Sequence, residues 1–287
     1  MRVLELFSGI GGWRYALEGL GEVVAAYDIS PAACATYLHN HGQAPIAREL
    51  AALAAQTLAS HRADTWVLSP PCQPFCRMGN HRGLEDRRSR AFLRLLEILD
   101  DAPPDHLVLE NVLGFQGSDA HELLLARLRR HGLHHQEFQL CPTAFGIPNQ
   151  RPRFYLVASR RPFPSSSPPA LVPGSLLAFL DAEVDAELYL DATTLSRHAS
   201  GMDFVVPKGH GSTCFIGGYG QRFVGSGSFL ATPRGVRRFS PMEIARIMGL
   251  PSTFGFPDGV SLEQRYKLLG NGLSIPVAKW VVHRLVQ

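Results

Sequence analysis

Lysine is nearly missing from this chain: only three of its 28 basic residues are lysine, and the rest are arginine. Against 25 acidic residues the formal net charge is +3, which excludes a uniformly basic nucleic-acid binder. The preference for arginine suits bidentate contact with phosphate or base edges, though a GC-rich coding sequence produces the same bias. Cysteine is scarce as well. Five in 287 residues, an odd number in a chain long enough to bury its own core, exclude a disulfide scaffold and point to a reducing, cytoplasmic setting. Cys72 and Cys76 lack a second cysteine or histidine pair at ligand spacing, so no metal is expected. Nowhere do about 18 apolar residues run together, and the opening MRVLELFSGIGG carries no small-residue cleavage site. Neither a membrane span nor secretion is expected. A hydrophobic content of 45% argues against disorder.

What is present is an alternation of short apolar runs and longer amphipathic segments through residues 2–158. Val3–Leu6, Val23–Tyr27, Thr65–Leu68, His106–Leu109 and Arg153–Ala158 read as strands. Trp13–Leu20, Pro31–Asn40, Ser89–Leu99 and Ala120–His131 read as helices. Strands alternating with helices imply an α/β fold, a mixed, mostly parallel sheet with helices on both faces, whose ligands bind outside the carboxyl ends of the strands. The pattern breaks at the Pro/Ser-rich stretch 160–169. Beyond it, glycine is frequent and periodicity weak, and helical signals return at Pro241–Gly249 and Pro276–Val286. The expected organisation is an α/β domain over 1–160, a small loop-rich domain over 161–235, and C-terminal helices over 236–287 that return to the first domain. The acidic run Asp181, Glu183, Asp185, Glu187 reads as a solvated face.

Several strand ends carry chemistry. After the first strand, Phe7-Ser8-Gly9-Ile10-Gly11-Gly12 forms a glycine turn before a helix, where the backbone can approach a ligand closely. Asp28 ends the second strand, placed to accept hydrogen bonds from ribose hydroxyls. A dinucleotide fingerprint would need glycine at Arg14, so NAD is disfavoured. After the third strand comes Ser69-Pro70-Pro71-Cys72-Gln73-Pro74-Phe75, with prolines that present Cys72 rigidly. The fourth strand delivers Glu110-Asn111 to the same edge, where a carboxyl group can act as general acid. Gln150-Arg151-Pro152-Arg153 places two arginines i, i+2 apart at the start of a strand, hence on one side of it.

FSGIGG, SPPCQPF, ENV, QRPRF and Gly270-Asn271-Gly272 stand in the order found in cytosine-5 methyltransferases, and the chain resembles that family along essentially its whole length. It is most similar to the DNA-methyltransferase-like branch that methylates an anticodon-loop cytosine of tRNA. Three stretches carry that likeness: Pro74-Phe75-Cys76-Arg77-Met78-Gly79, residues 110–115 with 142–149, and Cys214-Phe215-Ile216 with Gly225-Ser226-Gly227-Ser228.

The resemblance implies a Rossmann-like class I domain that binds S-adenosylmethionine and adds a small recognition domain. Cys72 is then the nucleophile toward C6 of cytosine, Glu110 the group at N3, Arg153 the holder of O2, and Arg151 a support for the loop bearing the nucleophile. Phe7, Ser8, Gly9, Ile10, Gly11, Gly12, Asp28, Ile29, Pro70, Asn271 and Gly272 line the cofactor pocket. Asn111, Cys214 and Phe215 face the nucleic acid. Apart from the resemblance, the cluster Arg77, Arg82, Arg87, Arg88 and Arg90, just after Cys72, reads either as a surface for backbone phosphates or as a solvated helix face partly paired with Glu85 and Asp86. The implied partner is tRNA, with DNA as the alternative substrate, no membrane, and a monomer as the expected state. Cys76, Ile216 and Gly272 depart from the pattern, each replacing a hydroxyl residue.

Size supports the RNA reading. Groove readout of DNA takes roughly 1,000 Å² or more of protein surface, and the loop-rich stretch between Arg160 and Arg234 is small for that. An anticodon loop offers an already unstacked base, which lowers the cost of reaching it.

Overall fold

Each apolar run that ends at a glycine or proline signal becomes a strand of one sheet. The computed structural model describes residues 1–71, 89–209 and 211–287. Cys72, Arg77, Arg82, Arg87 and Arg88 lie outside the described residues. Two compact units are present. The first comprises residues 1–140, 152–167 and 278–287, and the second residues 141–151 and 168–277.

In the first unit the strands are β1 (Arg2–Leu6), β2 (Glu22–Tyr27), β3 (Thr65–Leu68), β4 (His106–Asn111), β5 (His134–Leu140) and β7 (Arg153–Ser159). Its helices include α1 (Gly12–Ala16), α2 (Pro31–His41), α3 (Ala55–Ala59), α4 (Arg90–Asp101) and α5 (Asp119–Arg130). The sheet order is β2-β1-β3-β4-β7-β5. β1 pairs in parallel with both β2 and β3, and β3 with β4, while β7 runs antiparallel to β4 and β5. This is the mixed, mostly parallel sheet expected. β5, His134–Leu140, carries only one fully buried residue, Leu140, so its polar sequence hides an edge strand from an apolar-run reading. The core on the α3–α4–α5 side is apolar, with Leu4, Leu6, Leu68, Phe92, Ile98, Leu109, Phe115, Leu128 and Phe154 all buried. Burying such side chains is the main favourable term in the fold.

The order places β1 at a topological switch point: its parallel neighbours β2 and β3 lie on opposite sides of it. A crevice opens outside the carboxyl ends of strands at such a point. The residues that follow β1 and β3 are Phe7–Gly12 and Ser69–Pro71.

The second unit has short strands β6 (Asn149–Gln150), β8 (Asp203–Val205), β9 (Ser212–Thr213), β10 (Ser228–Thr232) and β11 (Gly235–Arg237), with helices α6 (Ala192–His198), α7 (Pro241–Ile247) and α8 (Leu262–Gly270). A last helix, α9 (Ile275–His283), leads from the second unit into the terminal residues of the first. Residues 236–277 group with the second unit rather than the first. Side-chain bonds explain why. Tyr266 Oη donates to the Phe239 carbonyl at 2.7 Å, and Phe239 N donates to Tyr219 Oη at 3.0 Å. Arg237 grips the buried Glu243 through Nη1 and Nη2 at 2.8 and 2.7 Å. Asp181 is no solvated bystander either: it accepts from Arg246 Nη2 at 2.6 Å and from Ser240 Oγ at 3.0 Å.

Candidate active site

The glycine turn is built from β1 outward. Phe7 leaves the strand with φ +57°, a left-handed value rare for a bulky residue, and Gly9 and Gly11 follow at φ +55° and +83°. Ser8 N donates to the Tyr27 carbonyl at 2.9 Å, and Gly11 N donates to the Ser8 carbonyl at 2.9 Å. Asp28, just past β2, then locks the turn. Its Oδ2 accepts from Gly9 N and its Oδ1 from Ser30 N, both at 2.8 Å. Two charge-assisted bonds leave each oxygen further accepting capacity.

This turn fits a nucleoside with an amino-acid tail, as the implied cofactor is. Among the described residues the buried Ser8 hydroxyl has no hydrogen-bond partner, and a ligand polar atom would satisfy it. Open space lies where a Gly9 Cβ would stand. Ile29 is 66% exposed beside Asp28, an apolar surface suited to a flat ring.

Across the switch point, Trp13 Nε1 donates to Ser69 Oγ at 3.0 Å, tying the helix after the glycine turn to the segment that leads to Cys72. Ser69 opens the SPPCQPF motif, whereas Trp13 directly follows the glycine turn and reads in the sequence only as the start of a helix. A second tether comes from β4. Asn111 Nδ2 donates to the Pro70 carbonyl at 3.2 Å, and Val112 N donates to Asn111 Oδ1 at 2.8 Å. Asn111 is buried, so within the first unit its amide positions the segment two residues before Cys72.

Glu110 stands beside it on β4, also buried. Because β7 is antiparallel to β4, the first residues of β7 reach the same sheet edge, with Glu110 opposite Tyr155 and Asn111 opposite Phe154. Arg153 Nε approaches Glu110 Oε1 at 3.3 Å, and Arg153 Nη1 donates to the Pro152 carbonyl at 2.9 Å. A guanidinium so placed orients the carboxyl group.

Arg151 does not share a strand face with Arg153. Pro152 has no N–H for a ladder, β7 begins only at Arg153, and the two-residue alternation does not extend back to Arg151. In the second unit Arg151 is buried, and its guanidinium donates to the carbonyls of Gly272, Phe215 and Gly270 at 2.7, 2.9 and 3.0 Å and to Cys214 Sγ at 3.2 Å. It gathers Cys214-Phe215 and the Gly270-Asn271-Gly272 turn. Phe215 is itself core, its ring 5.0 Å from Tyr219 and 5.1 Å from Phe239, so this side chain packs the second unit instead of facing a base. Asn271 caps the end of α8, its amide beside Gly217. A side chain at Gly272 would meet the tip of Met248 at 2.9 Å, a contact that a flexible methionine can relieve. Arg90 lies exposed at the first turn of α4. Among the described residues, no group of three or more His, Cys, Asp or Glu is placed to hold a metal ion, and no helix is long and apolar enough to cross a membrane.

Comparison with known proteins gives the same picture along the chain. The tRNA (cytosine(38)-C(5))-methyltransferase of Spodoptera frugiperda is 33% identical, the match covering 96% of this chain and 96% of that protein. The structure of the Entamoeba histolytica methyltransferase EhMeth superposes with a TM-score of 0.94 at 26% identity, over 99% of this chain and 97% of that one. The S. pombe Dnmt2 methyltransferase structure gives 0.89 at 30% identity, over 100% and 98%. Residues 1–184 and 190–287 match the family described as C-5 cytosine-specific DNA methylase. With the strand-end residues on the same sheet edge and the match running through nearly every residue, the chain belongs to the C-5 cytosine-specific DNA methylase family.

Proposed function

We propose that this chain is a tRNA cytosine-5 methyltransferase that methylates an anticodon-loop cytosine of the position 38 type, with S-adenosylmethionine as methyl donor. What supports the choice of RNA is the end-to-end likeness to a tRNA (cytosine(38)-C(5))-methyltransferase, with no large recognition insert between the catalytic motifs.

The Phe7–Gly12 turn, Asp28, Ile29 and the neighbourhood of Pro70, all in the first unit, hold the cofactor. When bound, the cofactor supplies an electrophilic methyl group. Asp28 accepts hydrogen bonds from the ribose, and the Ser8 hydroxyl gains a polar partner. The thiolate of Cys72 adds to C6 of cytosine and makes C5 nucleophilic. Glu110 hydrogen-bonds N3 and places a proton there, so negative charge pushed into the ring is neutralised where it develops. Arg153 holds O2 of the base while fixing Glu110. After methylation, H5 leaves to water, the N3 proton returns to Glu110 and Cys72 departs as thiolate, which restores the aromatic ring. Asn111 and Trp13 keep the cysteine segment in reach throughout.

The test is transfer of labelled methyl from S-adenosylmethionine to purified tRNA and, in parallel, to duplex DNA. Label in tRNA, lost when cytosine 38 is replaced, is the expected result. Labelled DNA with unlabelled tRNA overturns the substrate assignment.

A further inference from the structure

Underneath the glycine turn lies a polar cluster that the reaction does not use. β1 is an inner strand covered on both faces, where an apolar residue would pack at no electrostatic cost, yet its fourth residue is Glu5, with no exposed surface. Tyr37 Oη, from α2, donates to Glu5 Oε2 at 2.8 Å, and Arg14 N, from α1, donates to Oε1 at 3.4 Å. The Arg14 guanidinium closes the group, with Nη1 3.5 Å from Tyr37 Oη and Cζ 5.8 Å from the centre of the Tyr37 ring.

His41, the last residue of α2, joins this cluster to the turn itself. Its ring lies between those of Tyr15 and Tyr37, at 4.7 and 4.5 Å. Burial and the nearby Arg14 push its pKa down to about 4, so at neutral pH it is an uncharged imidazole. Its Nε2 is 3.4 Å from the Ile10 carbonyl, a distance at which an Nε2 proton donates into the turn. A Cβ on Gly11 would fall 2.1 Å from His41 Nε2 and 3.1 Å from the Tyr37 ring. Gly11, in its left-handed conformation, is therefore pressed against the imidazole. The titratable and charged groups facing this cluster are Glu5 from β1, Arg14 and Tyr15 from α1, and Tyr37 and His41 from α2.

Directional bonds of this kind fix one geometry, which apolar packing does only loosely. The element they fix is the turn whose other side holds the open space at Gly9 and the buried Ser8 hydroxyl. We propose that Tyr37 and His41 are positioning residues for the cofactor: acting through Glu5 and Gly11, they hold the Phe7–Gly12 turn in the shape that binds it. This rests on the reading of that turn as the S-adenosylmethionine cradle.

The experiment uses the full chain and its Tyr37→Phe and His41→Phe variants, which keep a ring of similar size and remove the polar atom. Leu128→Ala, in a buried position of α5, serves as a control that lowers stability elsewhere in the first unit. Calorimetric titration with S-adenosylhomocysteine gives the affinity, thermal melting gives the folded fraction, and methyl transfer gives KM and kcat. Each ring variant should weaken S-adenosylhomocysteine binding by roughly 5- to 30-fold, the size expected for losing one buried hydrogen bond. KM for S-adenosylmethionine should rise in parallel, with kcat at saturation within about twofold of the parent, while Leu128→Ala lowers the melting temperature and leaves affinity intact. If one variant does not fold, the other carries the same test. Folded variants whose affinity stays within about twofold of the parent, or whose loss falls on kcat alone, overturn the positioning role and leave the cradle reading standing. A parent chain that binds no S-adenosylhomocysteine overturns both.

Discussion

Glu5→Gln tests the buried cluster through its proton. In the folded chain burial lifts the Glu5 carboxyl from 4.5 to about 7, outweighing the hydrogen bonds from Tyr37 and Arg14 that pull the other way. The folded state thus holds this proton more tightly than the unfolded state does. Its contribution to stability is complete below about pH 4.5 and is lost as pH rises through about 7. At about 1.4 kcal/mol per tenfold change in proton affinity, the full loss is about 3 kcal/mol, of which some 2–3 kcal/mol falls between about pH 5 and pH 8. Glutamine keeps the shape and an acceptor for Tyr37 but does not titrate. Urea unfolding of both proteins across that pH range isolates the effect, because every other titrating group is common to the two. The variant should gain on the parent by about 2–3 kcal/mol from about pH 5 to pH 8, whatever the constant offset between them. A difference flat to within about 0.5 kcal/mol would refute the reasoning, since it would mean that Glu5 titrates in the fold as it does in water.

Other substitutions separate chemistry from architecture. Cys72→Ala should abolish methyl transfer while S-adenosylhomocysteine affinity in calorimetry stays close to that of the parent; residual turnover would remove the nucleophile assignment. Asn111→Ala frees the Pro70 carbonyl, and kcat should fall by about tenfold or more with cofactor affinity unchanged, as steady-state kinetics beside calorimetry will show. Arg151→Met leaves three buried carbonyls without their donor, and the chain should lose about 2–4 kcal/mol in urea unfolding. A loss below about 0.5 kcal/mol would mean that Arg151 is dispensable to the second unit.

The parallel part of the sheet was readable in the sequence because each of its strands holds a short apolar run, the first three closed within three residues by glycine, aspartate or proline. Val3–Leu6, Val23–Tyr27 and Thr65–Leu68 all appear in the structure within a residue of their sequence limits. β5 was not, because His134–Leu140 is an edge strand whose polar residues face outward. In the second unit, strands of two to five residues are held by Asn149, Ser212, Ser228 and Tyr219 side chains, and no hydrophobic period records such bonds. At the site, the motif order pointed to Asp28, Glu110 and Arg153, and the structure places them on one sheet edge. Arg151 misled, because strand alternation was carried back across Pro152. Glu5 had a signal that went unused: a lone carboxylate within an apolar strand destined for the inside of a sheet must be buried, and so must be given partners.

The adjacency of Glu110 and Asn111 on β4 has a mechanical consequence. In the proposed reaction Glu110 serves the base, while Asn111, the next residue, holds the Pro70 carbonyl of the chain that leads to Cys72. β4 is clamped between β3 and β7 by ladders on both edges. A slip of one residue against either neighbour would send both side chains to the wrong face. The tolerance of the reaction centre is therefore that of a backbone ladder and not of side-chain rotamers.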